Sequence, residues 1–178
     1  MIDFVLRRLD PDSDRPPFDC ADSDLNEYYE QDSILGAQEL ISVSYAAEID
    51  GDLAAFFSFS NDSIKKGLLS NSRRKRLFRR VPREKQYSSM PAVKIGRLGV
   101  HKDFQRTGVG SDVLSFIKYW FTHGNKTGCR FIIVDAYNNP KVTGFYERNG
   151  FDYLLTADKD DDTRLMYFDL KTFSPEGE

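Results

Sequence analysis

The segment from Val93 to Ala136 restricts the fold more than any other part of this 178-residue chain. An apolar run, "VKIGRLGV", leads into a polar turn, "HKDFQRTGVG". Apolar side chains then fall at Val113, Leu114, Ile117, Trp120 and Phe121, a spacing that lines one face of a helix ending at His123-Gly124. "RFIIVDA" follows as a buried strand. Strand, helix and strand in succession call for a right-handed crossover between parallel strands. The turn also carries chemistry. Glycines between a strand and a helix expose the first helical N–H groups at the end of a sheet, where they and the helix dipole attract an anion. A ligand-free passage from strand to helix is the other reading of the same residues.

Around this unit the pattern is strand-rich. "FVLRRL" (Phe4 to Leu9) reads as a first strand, and Asp24 with Glu27 in capping-box spacing opens a helix at about Leu25. "SVSYAAEI" and "LAAFFSFS" flank Asp50-Gly51 as the two arms of a hairpin, the second arm apolar enough to lie centrally. Residues 61–91 are polar and basic, and read as an excursion with helical potential around Arg73 to Arg80. In "NNPKVTGFYERNGF", Asn139 suits an N-cap, Pro140 the first helical position and Asn149-Gly150 the exit. "FDYLLT" and "RLMYFDL" are two last strands joined by the acidic turn "ADKDDDT", which lacks the glycine and glutamate of a calcium loop and reads as solvated. The order predicts a single domain of α/β (α+β) class spanning 1–178, with a basic insertion at about 61–91.

Composition narrows the class further. Hydrophobic residues at 40% fill one core, and a net charge of −3 favours no nucleic-acid or acidic-tail reading of the chain as a whole. Two cysteines outside any CxxC, with only two histidines, leave no ligand set for structural zinc, so no metal is expected. Cys20 reads as a small buried hydrophobe, and His101 and His123 as surface residues. The apolar N-terminal patch is broken by Arg7, Arg8 and Asp10, unlike a signal peptide or anchor. The expected setting is cytoplasmic, with free thiols and no membrane.

Three phosphate motifs compete for the glycine turn. A Walker loop needs Gly-Lys-Ser/Thr, which is absent, and a dinucleotide fingerprint needs a third glycine where Val113 stands. The third, Gln/Arg-x-x-Gly-x-Gly/Ala, is met by Gln105-Arg106-Thr107-Gly108-Val109-Gly110. Together with "GFYERNGF", which carries Tyr146 just before a Gly-aromatic exit, it makes the chain resemble the GNAT N-acetyltransferases. That resemblance implies a mixed, mostly antiparallel central sheet of about seven strands, splayed at the Val93–Val100 strand and flanked by helices. It also implies acetyl-CoA as co-substrate and direct attack of a primary amine on the thioester within a ternary complex. By the same resemblance, Gln105, Arg106, Thr107, Gly108, Val109, Gly110 and Ser111 hold the pyrophosphate. Leu98, Gly99 and Val100 pair with the pantetheine arm, and an amide at Leu98 or Gly99 faces the thioester oxygen. Tyr146 is the candidate general acid, or else a half-buried core tyrosine. Asn138 hydrogen-bonds the pantetheine or serves only as a turn residue. Phe145 and Phe151 read as core.

"VKIGRLGV" contains no carboxylate to act as base, which favours an acceptor of low pKa, such as an α-amine at about 8, over a lysine at about 10.4. Between Arg73 and Lys85 lies a basic block that could be a solvated face, or could bind the phosphates of coenzyme A or of a nucleic acid. "FDCADSDLNEYY" and the GRL strand look like the GNAT-type toxins of bacterial toxin–antitoxin pairs, although Ala21 stands where their pattern prefers glycine. That layout implies acetylation of the α-amine of aminoacyl-tRNA, with Arg97, Arg79 and Arg80 toward the tRNA, and a ribbon-helix-helix antitoxin as partner. A homodimer is compatible with it. A third reading is a non-catalytic acyl-CoA sensor.

Overall fold

The computed structural model of the protein describes residues 3–79, 87–125 and 127–174. In chain order the elements are β1 (Val5–Leu9), α1 (Ser23–Glu27), a π-helical turn (Tyr28–Asp32), α2 (Ser33–Gln38), β2 (Val43–Ile49) and β3 (Asp52–Lys65). Then come α3 (Asn71–Phe78), β4 (Ser89–Val100), α4 (Val109–Thr122), β5 (Phe131–Tyr137), α5 (Pro140–Arg148), β6 (Asp152–Tyr153) and β7 (Thr163–Asp169). The strands form a mixed seven-stranded sheet in the order β1-β2-β3-β4-β5-β7-β6. Two compact units divide the chain: Met1–Asn61 with Ile95–Trp120, and Asp62–Lys94 with Phe121–Glu178.

In the first unit the hairpin forms where the sequence places it. Asp50 and Gly51 have φ of 52° and 91°, the primed turn that matches strand twist, and Ile49 pairs with Asp52. A register shift between Ala47 and Glu48 marks a bulge. The first helix starts earlier than Leu25. Asp22, not Asp24, is its N-cap, with extended backbone and a carboxylate that accepts from the Leu25 amide at 3.1 Å. The helical run is also not uniform, because the π turn at Tyr28–Asp32 interrupts it. That turn sends Tyr29 inward, 1% exposed, to pack with Leu9, Phe18, Ala46, Leu53 and Phe56. Another aromatic group joins Tyr45, Phe59 and Phe116 to Trp120 of α4.

In the second unit the helical potential read within 61–91 takes shape as a helix, and part of the segment is buried. β3 runs on to Lys65, and α3 forms at Asn71–Phe78 with Ser70 as its cap. Leu69, Leu77, Phe78 and Met90 join Ile64, Phe131, Ile133 and Tyr167 in one buried cluster. The basic helix therefore has an apolar underside that completes the core. Arg130 fastens it: Nε and Nη2 donate to both carboxylate oxygens of Asp169 at 3.0 and 2.7 Å, and Nη1 donates to the Leu77 carbonyl at 2.9 Å. "FDYLLT" gives only a two-residue strand. Beyond it Asp158 is 8% exposed, pairs with Arg164 at 3.0 Å and accepts from the Leu165 amide, so the acidic turn is partly internal and not wholly solvated. Asn139 caps α5 through the Val142 amide at 3.0 Å, with Pro140 in its first turn.

Candidate active site

β4 delivers the chain to the glycine turn within the first unit. After Val100, His101 caps a short 3-10 turn at Lys102–Phe104, its ring against Phe18 and Phe104. His101 is thus half-buried in an aromatic corner, unlike the surface residue expected. Arg106 then takes φ of 65° and Gly108 φ of 102°. Backbone that alternates between right- and left-handed residues is what anion nests are built from, and here positive φ falls at two alternate residues. Only glycine adopts the Gly108 conformation without strain. The amides of Ser111 and Asp112 are bonded to the Gly108 carbonyl at 2.9 and 3.1 Å. Val109 and Gly110, ahead of them, begin the helix and have no intrahelical acceptor for their N–H groups. Thr107 Oγ1 donates to the Phe104 carbonyl at 2.7 Å, holding the turn closed on itself.

Gln105 is occupied elsewhere. Its side-chain amide donates to the carbonyls of Cys20 at 2.8 Å and of Val100 at 3.1 Å. On β4, Gly99 is buried, and a Cβ there would lie 2.6 Å from Cε1 of Phe56 and 3.2 Å from Cζ of Phe18. Close approach of these rings is a physical reason for this glycine that the sequence pattern left unseen. Arg97, two residues earlier, lies over the Tyr28 ring at 5.2 Å and reaches Asp24 at 3.6 Å. The first unit therefore brings Arg97, Leu98, Gly99 and Val100 onto one strand end and Gln105 to Ser111 onto the turn that follows it.

Tyr146, Asn138 and Arg79 belong to the second unit. Tyr146 sits on α5 at 6% exposure, its ring edge-on to Phe145 and Phe151. Burial alone pushes its phenol well above the usual tyrosine range. Asn138 ties down the acidic turn: Nδ2 donates to the carbonyls of Lys159 and Asp161 at 2.9 and 2.8 Å, and its backbone amide to Asp162. That is the turn role read from the sequence. Arg79 is exposed at the end of α3, and Arg80 lies outside the described residues.

Sequence reasoning missed a carboxylate beside β4. Asp135 of β5 pairs with Lys94 at 2.5 Å, at the rim of a cavity of about 210 Å³ floored by Ile64, Ile133, Leu154 and Leu165. Its strand position was legible, but its partner on another strand was not. The block of basic residues also divides in a way the sequence does not announce. Arg76 is held by Asp152 at 3.0 Å and by the Tyr167 hydroxyl, and Arg73 lies over the Tyr167 ring, whereas Arg74, Lys75 and Arg79 point to solvent. Among the described residues no group of three His, Cys, Asp or Glu side chains could hold a metal, and no helix is long and apolar enough to cross a membrane.

A strand that ends in a glycine turn and leads into a helix is the frame of this site, and comparison gives it a family. The model of the acetyltransferase (GNAT) domain matches residues 42–153, and the chain belongs to that family. Among solved structures, a tyrosine-to-phenylalanine mutant of KacT is 23% identical with a TM-score of 0.73, covering 94% of this chain and 95% of that one. AtaT complexed with acetyl-methionyl-tRNAfMet is 20% identical with a TM-score of 0.74, covering 95% and 96%. AtaTR bound with acetyl-CoA is also 20% identical at 0.74, covering 95% of each chain. These likenesses establish the fold. Curated proteins searched by sequence yield no match.

Proposed function

We propose that the protein is an acetyl-CoA-dependent N-acetyltransferase that moves an acetyl group to a primary amine by direct attack. The turn carries the reading: Arg106 and Gly108 at positive φ, followed by the first helical amides, of Val109 and Gly110, which have no intrahelical acceptor. Amides from Arg106 to Gly110 take the diphosphate, the Ser111 amide being bonded to the Gly108 carbonyl, and the backbone of Leu98, Gly99 and Val100 pairs with the pantetheine arm. The amine lone pair adds to the thioester carbon, and the oxyanion that forms is stabilised by an amide at Leu98 or Gly99. The tetrahedral adduct then expels the thiolate, breaking the C–S bond, while the ammonium proton leaves to water. Tyr146 donates its hydroxyl hydrogen to the departing sulfur and regains a proton through the water that took the ammonium's, which restores the neutral phenol that burial favours. Asn138 positions the acidic turn near the end of β5.

One observation favours a narrower acceptor. AtaT, of the same fold, has been seen with acetyl-methionyl-tRNAfMet, and here the exposed Arg74, Lys75 and Arg79 offer a cationic helix face. The α-amine of aminoacyl-tRNA, met by that face and by Arg97, is the second reading, with the protein acting in the cytoplasm. On it the partner is a ribbon-helix-helix antitoxin, as AtaT is bound by AtaR. Thiol release from acetyl-CoA, measured with small amines and with charged tRNAs, tests both. Turnover with amines but not tRNA leaves the first reading alone, and binding without any turnover leaves an acyl-CoA sensor.

A further inference from the structure

We infer that Gln105 and Asp19 are positioning residues, forming a latch that holds the anion turn in its binding shape before ligand arrives. The inference rests on the coenzyme A reading above, and all its contacts lie within the first unit.

The turn 101–108 carries internal bonds at His101, Lys102 and Phe104, and two of its residues take positive φ. A second set of bonds ties it to the N-terminal elbow at Phe18 to Asp22. Lys102 meets Asp19 twice, its backbone amide donating to the Asp19 carbonyl at 2.8 Å and its ammonium to Oδ2 at 3.0 Å. The other oxygen of Asp19 accepts from the Ala21 amide at 2.8 Å and from Asn26 Nδ2 at 3.2 Å. Those bonds hold Ala21 at φ of 61°, a conformation rare for a residue with a Cβ. Asn26 of α1 returns the tie, its Oδ1 accepting from the Cys20 amide at 3.0 Å. Gln105 closes the latch from the turn's side, bridging the Cys20 and Val100 carbonyls. A continuous set of bonds therefore runs from α1 through the elbow to the residues just ahead of the α4 amides.

Both acceptors of Gln105 are carbonyls, so the site demands a donor. Glutamine and arginine meet that demand, and glutamate would place a carboxylate against two oxygens. In such a device the apparent dissociation constant rises as the shaped fraction of the loop falls. Loss of the latch would thus weaken cofactor binding, leaving the chemistry of saturated enzyme to the other residues.

The test is calorimetric titration of acetyl-CoA, paired with amide hydrogen exchange of residues 101–110 without ligand. Relative to wild type, Gln105→Ala and Gln105→Glu are expected to raise Kd about tenfold and to speed exchange in the turn. Gln105→Arg, which keeps donors, should return Kd to within about threefold of wild type. Asp19→Ala should raise Kd similarly while leaving kcat at saturating acetyl-CoA unchanged. Wild-type Kd and wild-type exchange in Gln105→Ala and Asp19→Ala would overturn the latch. Failure of the wild type itself to bind acetyl-CoA would overturn the coenzyme A reading, a result visible in the first arm before any variant is compared.

Discussion

Tyr146 illustrates how burial sets a single side chain's chemistry. An apolar surround disfavours phenolate, so the hydroxyl keeps its proton far beyond neutrality. Because the folded pKa is raised, the donor form persists as pH rises, and the kcat profile should show no loss assignable to this group between pH 7 and 10. A descending limb near pH 9 that disappears in Tyr146→Phe would contradict that. Asp19 shows the opposite sign. Bonds from Ala21, Lys102 and Asn26 hold its carboxyl at about 2, below the usual carboxylate range. Its contribution to stability is complete above the unfolded value of about 3.9, and is lost as pH falls from there through about 2. Urea midpoints should therefore fall more steeply below pH 4 in wild type than in Asp19→Asn. The sequence pattern picked out Gln105 and Gly108 but not the contacts of the Gln105 side chain, one of which, to Cys20, spans 85 residues of chain. Gly99 was legible as a glycine on the proposed binding strand. Its steric reason, the ring of Phe56, needed the fold. Gly99→Ala should lower stability by about 1–3 kcal/mol through overpacking, measured by urea denaturation.

At the scale of elements, the basic helix α3 is the instructive case. Read as sequence, its charges obscure Leu77 and Phe78, and the segment looks like a surface excursion. Folded, those two residues are 3% and 2% exposed and the charges are sorted into anchors and solvent-facing groups. Arg130 supplies the anchor from below, bonded to Asp169 and to the last turn of α3. Hydrogen bonds to charged groups contribute about 1.5–3 kcal/mol, so Arg130→Ala should lower the unfolding free energy by an amount in that range. Arg130→Lys should recover only part of it, because an ammonium cannot span both carboxylate oxygens and the carbonyl. Elements whose signals are local, the Asp50-Gly51 hairpin and the Asn139-Pro140 helix start, were fully legible. Those set by distant partners, such as the shortened β6 and the π turn before α2, were not.

For the molecule as a whole, strand–helix order and two short motifs led to the fold, and the family match and solved relatives agree with it. The acceptor amine is a different kind of question. It depends on which surfaces a substrate meets, and "VKIGRLGV" speaks to it only through the carboxylate it lacks. The proposed reaction makes acetyl-CoA a substrate and gives Tyr146 a part in the departure of its thiolate. Thiol release from acetyl-CoA, followed with amines and charged tRNAs for the wild type and for Tyr146→Phe, measures both parts at once. The proposed reaction gives acceptor-dependent turnover in the wild type and a loss of about 100-fold or more in kcat for the variant, with acetyl-CoA affinity retained. Acceptor-dependent turnover that survives unchanged in Tyr146→Phe, or none with any acceptor, would contradict it.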